Sequence, residues 1–237
     1  MLLLLNLKRI ITLPQSRYEE KLLPGSSHQV IIDKIAGSAE IRKILDIGIG
    51  SGILGRRFSS KEYEIYGVEP DPVWANEAGK YYKDIFVGTL KETPLDFFQG
   101  VDLVVCADVL EHMADPKSAL KLLVSTQEKG TYFIISVPNI ANIWIRLNLL
   151  FGKFDYAEKG ILDHTHLKFF TKKSFKALLE EAGLGHIEII PTPLPLELVS
   201  SFFSTSKLGR GIYFILLWLT KCFPTLLGYQ FVCFAEG

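Results

Sequence analysis

Asp46, Gly48, Gly50 and Gly52 stand at alternate positions in Asp46-Ile47-Gly48-Ile49-Gly50-Ser51-Gly52. Glycines at this spacing let a backbone turn tightly and bring its amides against a ligand with no Cβ in the way. A helix starting just beyond would aim its N-terminus at the same place. The chemistry implied is the holding of a nucleotide-like ligand. Two registers fit. Gly50-Ser51-Gly52-Ile53-Leu54-Gly55 spells the dinucleotide pattern, starting four residues past Asp46. The register led by Asp46 begins on the strand itself and puts an acid where the amino-acid part of a cofactor would lie. Glu69 adds a second acid, at the end of the next strand, where ribose hydroxyls are commonly bound.

Histidines carry the other chemistry, because their unperturbed pKa near neutrality suits them to take a proton. His112 closes the block Cys106-Ala107-Asp108-Val109-Leu110-Glu111-His112, and His164 and His166 fall in a later insertion. These three are the catalytic candidates. His28 and His186 lie elsewhere, and His186 reads as structural. His164, His166 and Asp163 sit in one loop with no second ligand pair placed elsewhere, so no metal is assigned.

The elements that must position these residues follow from periodicity. Apolar runs predict strands at 43–46, 64–69, 85–87, 101–106, 131–137 and 186–190, with a last one near Gln230. Asp71-Pro72, Asp115-Pro116 and Thr171 read as helix starts, and Gly183 as a helix stop. The alternation predicts an α/β fold, doubly wound, with a mostly parallel seven-stranded sheet. All 237 residues are read as one domain. Within it, 1–40 would form N-terminal cap helices, 140–170 a helical cap over the substrate, and 192–228 an apolar insertion before the last strand. Met1 to Arg9 reads as a docking strand or helix, or a frayed end, since its charge follows its short apolar run instead of preceding it.

Lys plus Arg and Asp plus Glu are 26 each, which removes any global reason to expect nucleic acid. The three cysteines, Cys106, Cys222 and Cys233, make neither a disulfide framework nor a zinc pattern, and a cytoplasmic setting is expected. From Gly211 to Ala235 the one charged residue is Lys221. Pro224 and Gly228 interrupt that run, so a buried helix, a turn and a closing strand are expected, with peripheral membrane contact through 211–228 left open.

Taken together, the Asp46–Gly52 loop, Gly67-Val68-Glu69-Pro70-Asp71 and Asp108-Val109-Leu110-Glu111-His112 resemble the class I S-adenosylmethionine-dependent methyltransferases. Ser136–Asn139, Gly152–Tyr156 and Leu162–Thr171 resemble one branch, related to the ubiquinone-biosynthesis O-methyltransferases and to methyltransferases found with glycan-biosynthesis enzymes. The resemblance covers about residues 20–185 and, more loosely, the final strand. It implies S-adenosylmethionine as cofactor and a Rossmann-like fold. It implies that Asp46, Gly48 and Gly50 hold the methionine part, with Gly52 also at the cofactor, Glu69 the ribose and Pro70 the adenine. Ala107 and Asp108 would lie at the sulfonium end. It implies O-methylation of a small-molecule or glycan-type acceptor. One departure stands out. The branch carries Gly-Asp after the third strand, and this chain has Gly88-Thr89, with Lys91-Glu92 close enough to compensate. Two alternatives stay open: a non-catalytic binding protein on the same fold, and a nicotinamide-dependent oxidoreductase using the Gly50 register. Tyr156-Ala157-Glu158-Lys159 is one residue short of a hydride-site spacing.

Overall fold

The computed structural model describes residues 23–59 and 62–237. The reading of Met1 to Arg9, and the part of the 1–40 segment before Leu23, lie outside them. The described part of that segment holds one helix, α1 (Ser27–Ala36).

Seven strands form one sheet: β1 (Lys43–Ile47), β2 (Glu64–Glu69), β3 (Asp84–Val87), β4 (Leu103–Ala107), β5 (Tyr132–Pro138), β6 (Gly185–Thr192) and β7 (Gln230–Glu236). Their spatial order is β3-β2-β1-β4-β5-β7-β6. The pairs among β1 to β5 are parallel, and β7 runs antiparallel to β5 and β6. This is the mostly parallel, doubly wound sheet expected.

Side chains alternate across a strand, so a strand covered on both faces must be apolar throughout. In β4, Leu103 and Val105 enter the core on one face and Val104 and Cys106 the core on the other. β5 and β7 divide the same way, Phe133, Ile135, Phe231 and Cys233 against Ile134, Val232 and Phe234. Helices α4 (Pro116–Ser125) and α6 (Lys172–Ala182) bring Leu120, Leu123, Phe175 and Leu179 to the first of these layers. α1 brings Ile31 and Ile35 to the second.

The helix starts are those the sequence signals. α2 (Ile53–Phe58) follows the glycine loop directly. Asp71 accepts from the Val73 amide at 2.8 Å ahead of α3 (Pro72–Ala78), and Asp115 from Ser118 at 3.1 Å ahead of α4. Thr171 and Ser174 form a reciprocal capping box on α6, which Gly183 ends with φ 99°.

β1 and β4 are neighbours whose connections leave in opposite directions, which opens a crevice at their carboxyl ends. The 140–170 insertion follows β5. It holds α5 (Ile143–Leu150), capped by Asn142, and then irregular chain up to α6. Two buried asparagines bind it to the C-terminal turn: Asn139 Nδ2 donates to the Thr225 and Gly228 carbonyls at 3.1 and 2.8 Å, and Asn142 Nδ2 to Gly228 at 2.9 Å.

Helix, turn and closing strand follow in the expected order as α7 (Lys207–Cys222), Pro224–Leu227 and β7. The expectation that the helix is buried needs correction. Tyr213 and Thr220 are buried, but Leu208, Ile215 and Trp218 are 69, 61 and 63% exposed. The helix packs at the β6 edge of the sheet and is covered there on one side. No helix among the described residues is long and apolar enough to cross a membrane.

Candidate functional site

The glycine loop leaves β1 with Gly48, Gly50 and Gly52 all at positive φ, 70, 49 and 75°. Side chains are strained there, and space is closed as well. A Cβ on Gly48 would stand 2.6 Å from Val109 Cγ2, and one on Gly52 2.9 Å from Ala78 Cβ. Residues 48–52 therefore hold a bare-backbone cradle that a Cβ would fill, at the carboxyl end of β1 and the head of α2.

Two acids frame it. Asp46 is buried and accepts a 2.7 Å hydrogen bond from the Tyr82 hydroxyl, which itself accepts from the Gly55 amide at 3.2 Å. Burial pushes the Asp46 carboxyl up to about 7; the Tyr82 bond opposes this and the nearby Glu69 charge adds to it. Glu69, also buried, accepts from the Gly50 amide at 2.9 Å and the Asp71 amide at 3.0 Å, so it ties the loop to the end of β2. Pro70 follows it in an exposed position.

Beyond β3, the Gly88 amide donates to the Glu69 carbonyl at 3.0 Å. Where the branch has an acid the structure has Thr89, and the Glu92 carboxylate comes to it. Glu92 Oε2 accepts from the Thr89 amide at 2.8 Å and from its hydroxyl at 2.7 Å. These two bonds, the side-chain one first, hold the Glu92 carboxyl below its usual range.

At the end of β4, beside Ala107, Asp108 adopts φ 56°, a region Asp tolerates better than most residues. Its carboxylate accepts from the Ser136 hydroxyl and from Gln230 Nε2, both at 2.6 Å. That clamp turns Val109 onto Gly48 and starts the short helical turn Leu110–His112.

That turn meets the cap. The Leu167 and Lys168 amides donate to the Glu111 carbonyl at 2.7 and 3.0 Å. The His112 and His166 rings lie edge to face with centroids 4.8 Å apart. The Thr165 hydroxyl donates to Asp163 Oδ1 at 2.7 Å, so toward His112 Nδ1, 3.0 Å away, it is the acceptor. His166 Nδ1 donates to the Ile161 carbonyl at 3.1 Å. Burial, and then the neighbouring His112, lowers the His166 pKa against the opposing pull of that carbonyl and of the Asp163 and Asp108 charges. Both rings therefore carry hydrogen on Nδ1 and keep Nε2 clear of these anchors. His164 stands apart, exposed, 3.7 Å from Asp163 and 4.0 Å from Glu158. Outward from His166, Phe169, Phe154 and Tyr156 form a chain of edge contacts at 6.3, 6.0 and 5.7 Å. The sequence reading missed Glu111, Glu92's bonds to Thr89, and the role of Gln230. Glu111 precedes His112 in a block already singled out, and its near-complete burial, 1% exposed, is what the sequence did not signal.

A family model described as a methyltransferase domain matches residues 17–189. Among curated relatives, the ubiquinone biosynthesis O-methyltransferase of Aeromonas salmonicida is 30% identical over 166 residues, 65% of this chain and 67% of that one. Its counterpart from a Shewanella species is 26% identical over 161 residues with the same coverage. Among solved structures, a SAM-dependent methyltransferase from Archaeoglobus fulgidus superimposes with a TM-score of 0.55 at 17% identity, over 90% of this chain and all of that one. Phosphoethanolamine N-methyltransferase 2 of Haemonchus contortus, solved with S-adenosylmethionine, gives a TM-score of 0.57 at 13% identity, over 90% of this chain and 53% of that one.

Proposed function

This chain belongs to the class I S-adenosylmethionine-dependent methyltransferases, in the group related to the ubiquinone O-methyltransferases, and from that premise we propose that it methylates a hydroxyl oxygen on a ring-bearing small molecule, aromatic or glycan-type. Membership sets aside the nicotinamide register of Gly50–Gly55 and the non-catalytic reading.

The observation that carries the acceptor reading is the His112–His166 pair, brought by the cap to the β4 end beside the Val109–Gly48 contact. S-adenosylmethionine, when bound, supplies a methyl group already activated on a sulfonium, so the chain has to bind, align and relieve the acceptor of a proton. Asp46 would hold the cofactor's amino group, and the 48–52 amides its carboxylate. Glu69 would take the ribose hydroxyls and Pro70 the adenine face. Gly88 and Thr89 would meet the adenine edge, with Glu92 supplying the charge Thr89 lacks. Ala107 and Asp108 would close the sulfonium end. At the acceptor side, the Nε2 lone pairs of His112 and His166 polarise the hydroxyl, and Phe169, Phe154 and Tyr156 present edges and faces to a ring.

The test is transfer of labelled methyl from S-adenosylmethionine across a panel of phenols, catechols and sugars. A hydroxylated acceptor should turn over, and His166→Ala should lower kcat by roughly 10²- to 10⁴-fold with cofactor affinity unchanged. Turnover confined to amines or thiols, or full activity in the variant, would sink it.

A second reading concerns lipid. The exposed Leu208, Ile212, Ile215 and Trp218 share α7 with Lys207, Arg210 and Lys221 and with no acid. An apolar face flanked by cations supports peripheral contact with an anionic membrane surface.

A further inference from the structure

We propose that Tyr82 is a positioning residue of the cofactor cradle: its hydroxyl ties the buried Asp46 carboxylate to the head of α2 and keeps that carboxylate available to the cofactor's amino group. The inference rests on the cofactor reading above and says how one of its contacts is prepared.

Tyr82 follows α3 and the short helical turn Gly79–Tyr81. The next amide, that of Lys83, donates to the Ile65 carbonyl of β2 at 2.8 Å. The Tyr82 ring is buried, and three glycines make the slot it fills. A Cβ on Gly55 would run into Tyr82 Cε2, one on Gly67 would stand 3.2 Å from Cδ1, and one on Gly52 3.4 Å from Cε2. Gly55 lies inside α2, where glycine is a poor helix former, and the ring accounts for it. The last glycine of Gly50-Ser51-Gly52-Ile53-Leu54-Gly55 thus makes room for a tyrosine of this chain.

The hydroxyl is fixed as firmly as the ring. Gly52 is the N-cap of α2 and has no side chain to cap it with. Amides of the first turn therefore need acceptors from elsewhere. The Tyr82 hydroxyl supplies one, accepting from the Gly55 amide at 3.2 Å. An amide can only donate, so the hydroxyl's own hydrogen goes to Asp46 Oδ2, 2.7 Å away. One oxygen caps the helix and donates to the acid.

The surrounding charges show why Asp46 depends on that donor. Burial, the largest influence on its carboxyl, favours the proton; the Tyr82 bond opposes this and the Glu69 charge on β2 reinforces it. On β4 the Cys106 thiol stays neutral, pushed up by burial and then by the Glu111, Asp46 and Asp108 charges. Tyr82 keeps its own proton, because burial and then Asp46 outweigh the Gly55 amide and Arg56 of α2. Without the hydroxyl, Asp46 would hold its proton to higher pH and offer an ammonium group no charge.

The experiment is calorimetric titration of the full chain with S-adenosylhomocysteine from pH 6 to 8.5. It compares the unaltered protein with Tyr82→Phe, Asp46→Asn and the double variant. Affinities are taken as ratios at each pH, so the ligand's own titration cancels. A hydrogen bond to a charged group is strong enough to move a carboxyl by roughly 1–2 pH units. Tyr82→Phe should then lose roughly 5- to 50-fold in affinity at pH 7 and less than ~5-fold at pH 8.5. In the Asp46→Asn background the same change should cost less than ~3-fold at every pH. On the unliganded chain, the Asp46 carboxyl ¹³C resonance, identified by its absence from Asp46→Asn, should titrate at least ~1 unit higher in Tyr82→Phe. A loss equal at all pH values, a loss undiminished in the Asp46→Asn background, or an unmoved resonance would reduce Tyr82 to packing and overturn the proposal. Should Tyr82→Phe lose its thermal transition, Gly55→Ala, whose methyl displaces the ring, repeats the comparison; loss of folding in both also overturns it. Normal binding by the unaltered chain with an unchanged profile in Tyr82→Phe removes this inference alone. No binding by the unaltered chain removes the cofactor reading and this inference with it.

Discussion

The Asp46 carboxyl sits under the Tyr82 hydroxyl with its pKa raised to about 7. The unfolded chain would titrate it near 3.8. Between those values the folded state holds more protons than the unfolded one, so folded stability falls as pH rises through this window. A cationic amino group beside Asp46 reverses the penalty. The stabilisation by S-adenosylhomocysteine, read as a rise in Tm, should therefore be larger at pH 8 than at pH 6, and Asp46→Asn should flatten the difference. Equal shifts at both pH values in the unaltered protein would mean that Asp46 is not the amino-group partner. At Gly48 the constraint is steric: Gly48→Ala must meet Val109 at 2.6 Å from a backbone at φ 70°. We expect cofactor affinity to drop at least ~10-fold while the sheet stays folded, checked by calorimetry and circular dichroism.

Elements decide which of these residues meet. The cap is joined to the domain through Asn139 and Asn142, whose amides reach the 225–228 turn, and through Glu111, whose carbonyl holds 167 and 168. Asn139→Ala strands two carbonyl acceptors and should cost about 3 kcal/mol, measured by urea denaturation. A change within experimental error would mean that the cap is held by other contacts. The strands and helix starts were legible because each carries a local signal: unbroken apolar runs for β4 and β5, Asp-Pro caps for α3 and α4, Gly183 for the end of α6. The His112–His166 meeting was not legible, because 53 residues of chain lie between the two and no periodic pattern encodes how a cap loop folds back. A still longer separation, 122 positions, hid Gln230, which reaches Asp108 from near the end of the sequence. Lys91-Glu92 was legible as a neighbouring compensation for Thr89, but the bonds by which Glu92 takes the Thr89 amide and hydroxyl were not.

For the whole molecule, one sheet separates two roles. Its carboxyl edge gathers the cradle, both frame acids and the histidine pair, while α7 lies at the β6 side with an apolar face outward. Long apolar runs are ambiguous by pattern alone, which is why the sequence of α7 suggested burial and the structure gives an amphipathic edge helix. If that face meets lipid, the full chain should co-sediment with vesicles containing anionic phosphatidylglycerol and much less with neutral phosphatidylcholine. Trp218→Ser together with Ile215→Ser should release it without altering cofactor affinity. Sedimentation that ignores both changes would leave the face without that role.

The central claim is that the Asp46–Gly52 loop and its two acids bind S-adenosylmethionine. Its most direct measurement is calorimetric titration of the full chain with S-adenosylhomocysteine at pH 7, in two buffers of different ionisation enthalpy. The account predicts binding at one site per chain, net proton release as the partly protonated Asp46 carboxyl ionises, and no displacement by NADH. Absence of binding, or displacement by NADH, would contradict it.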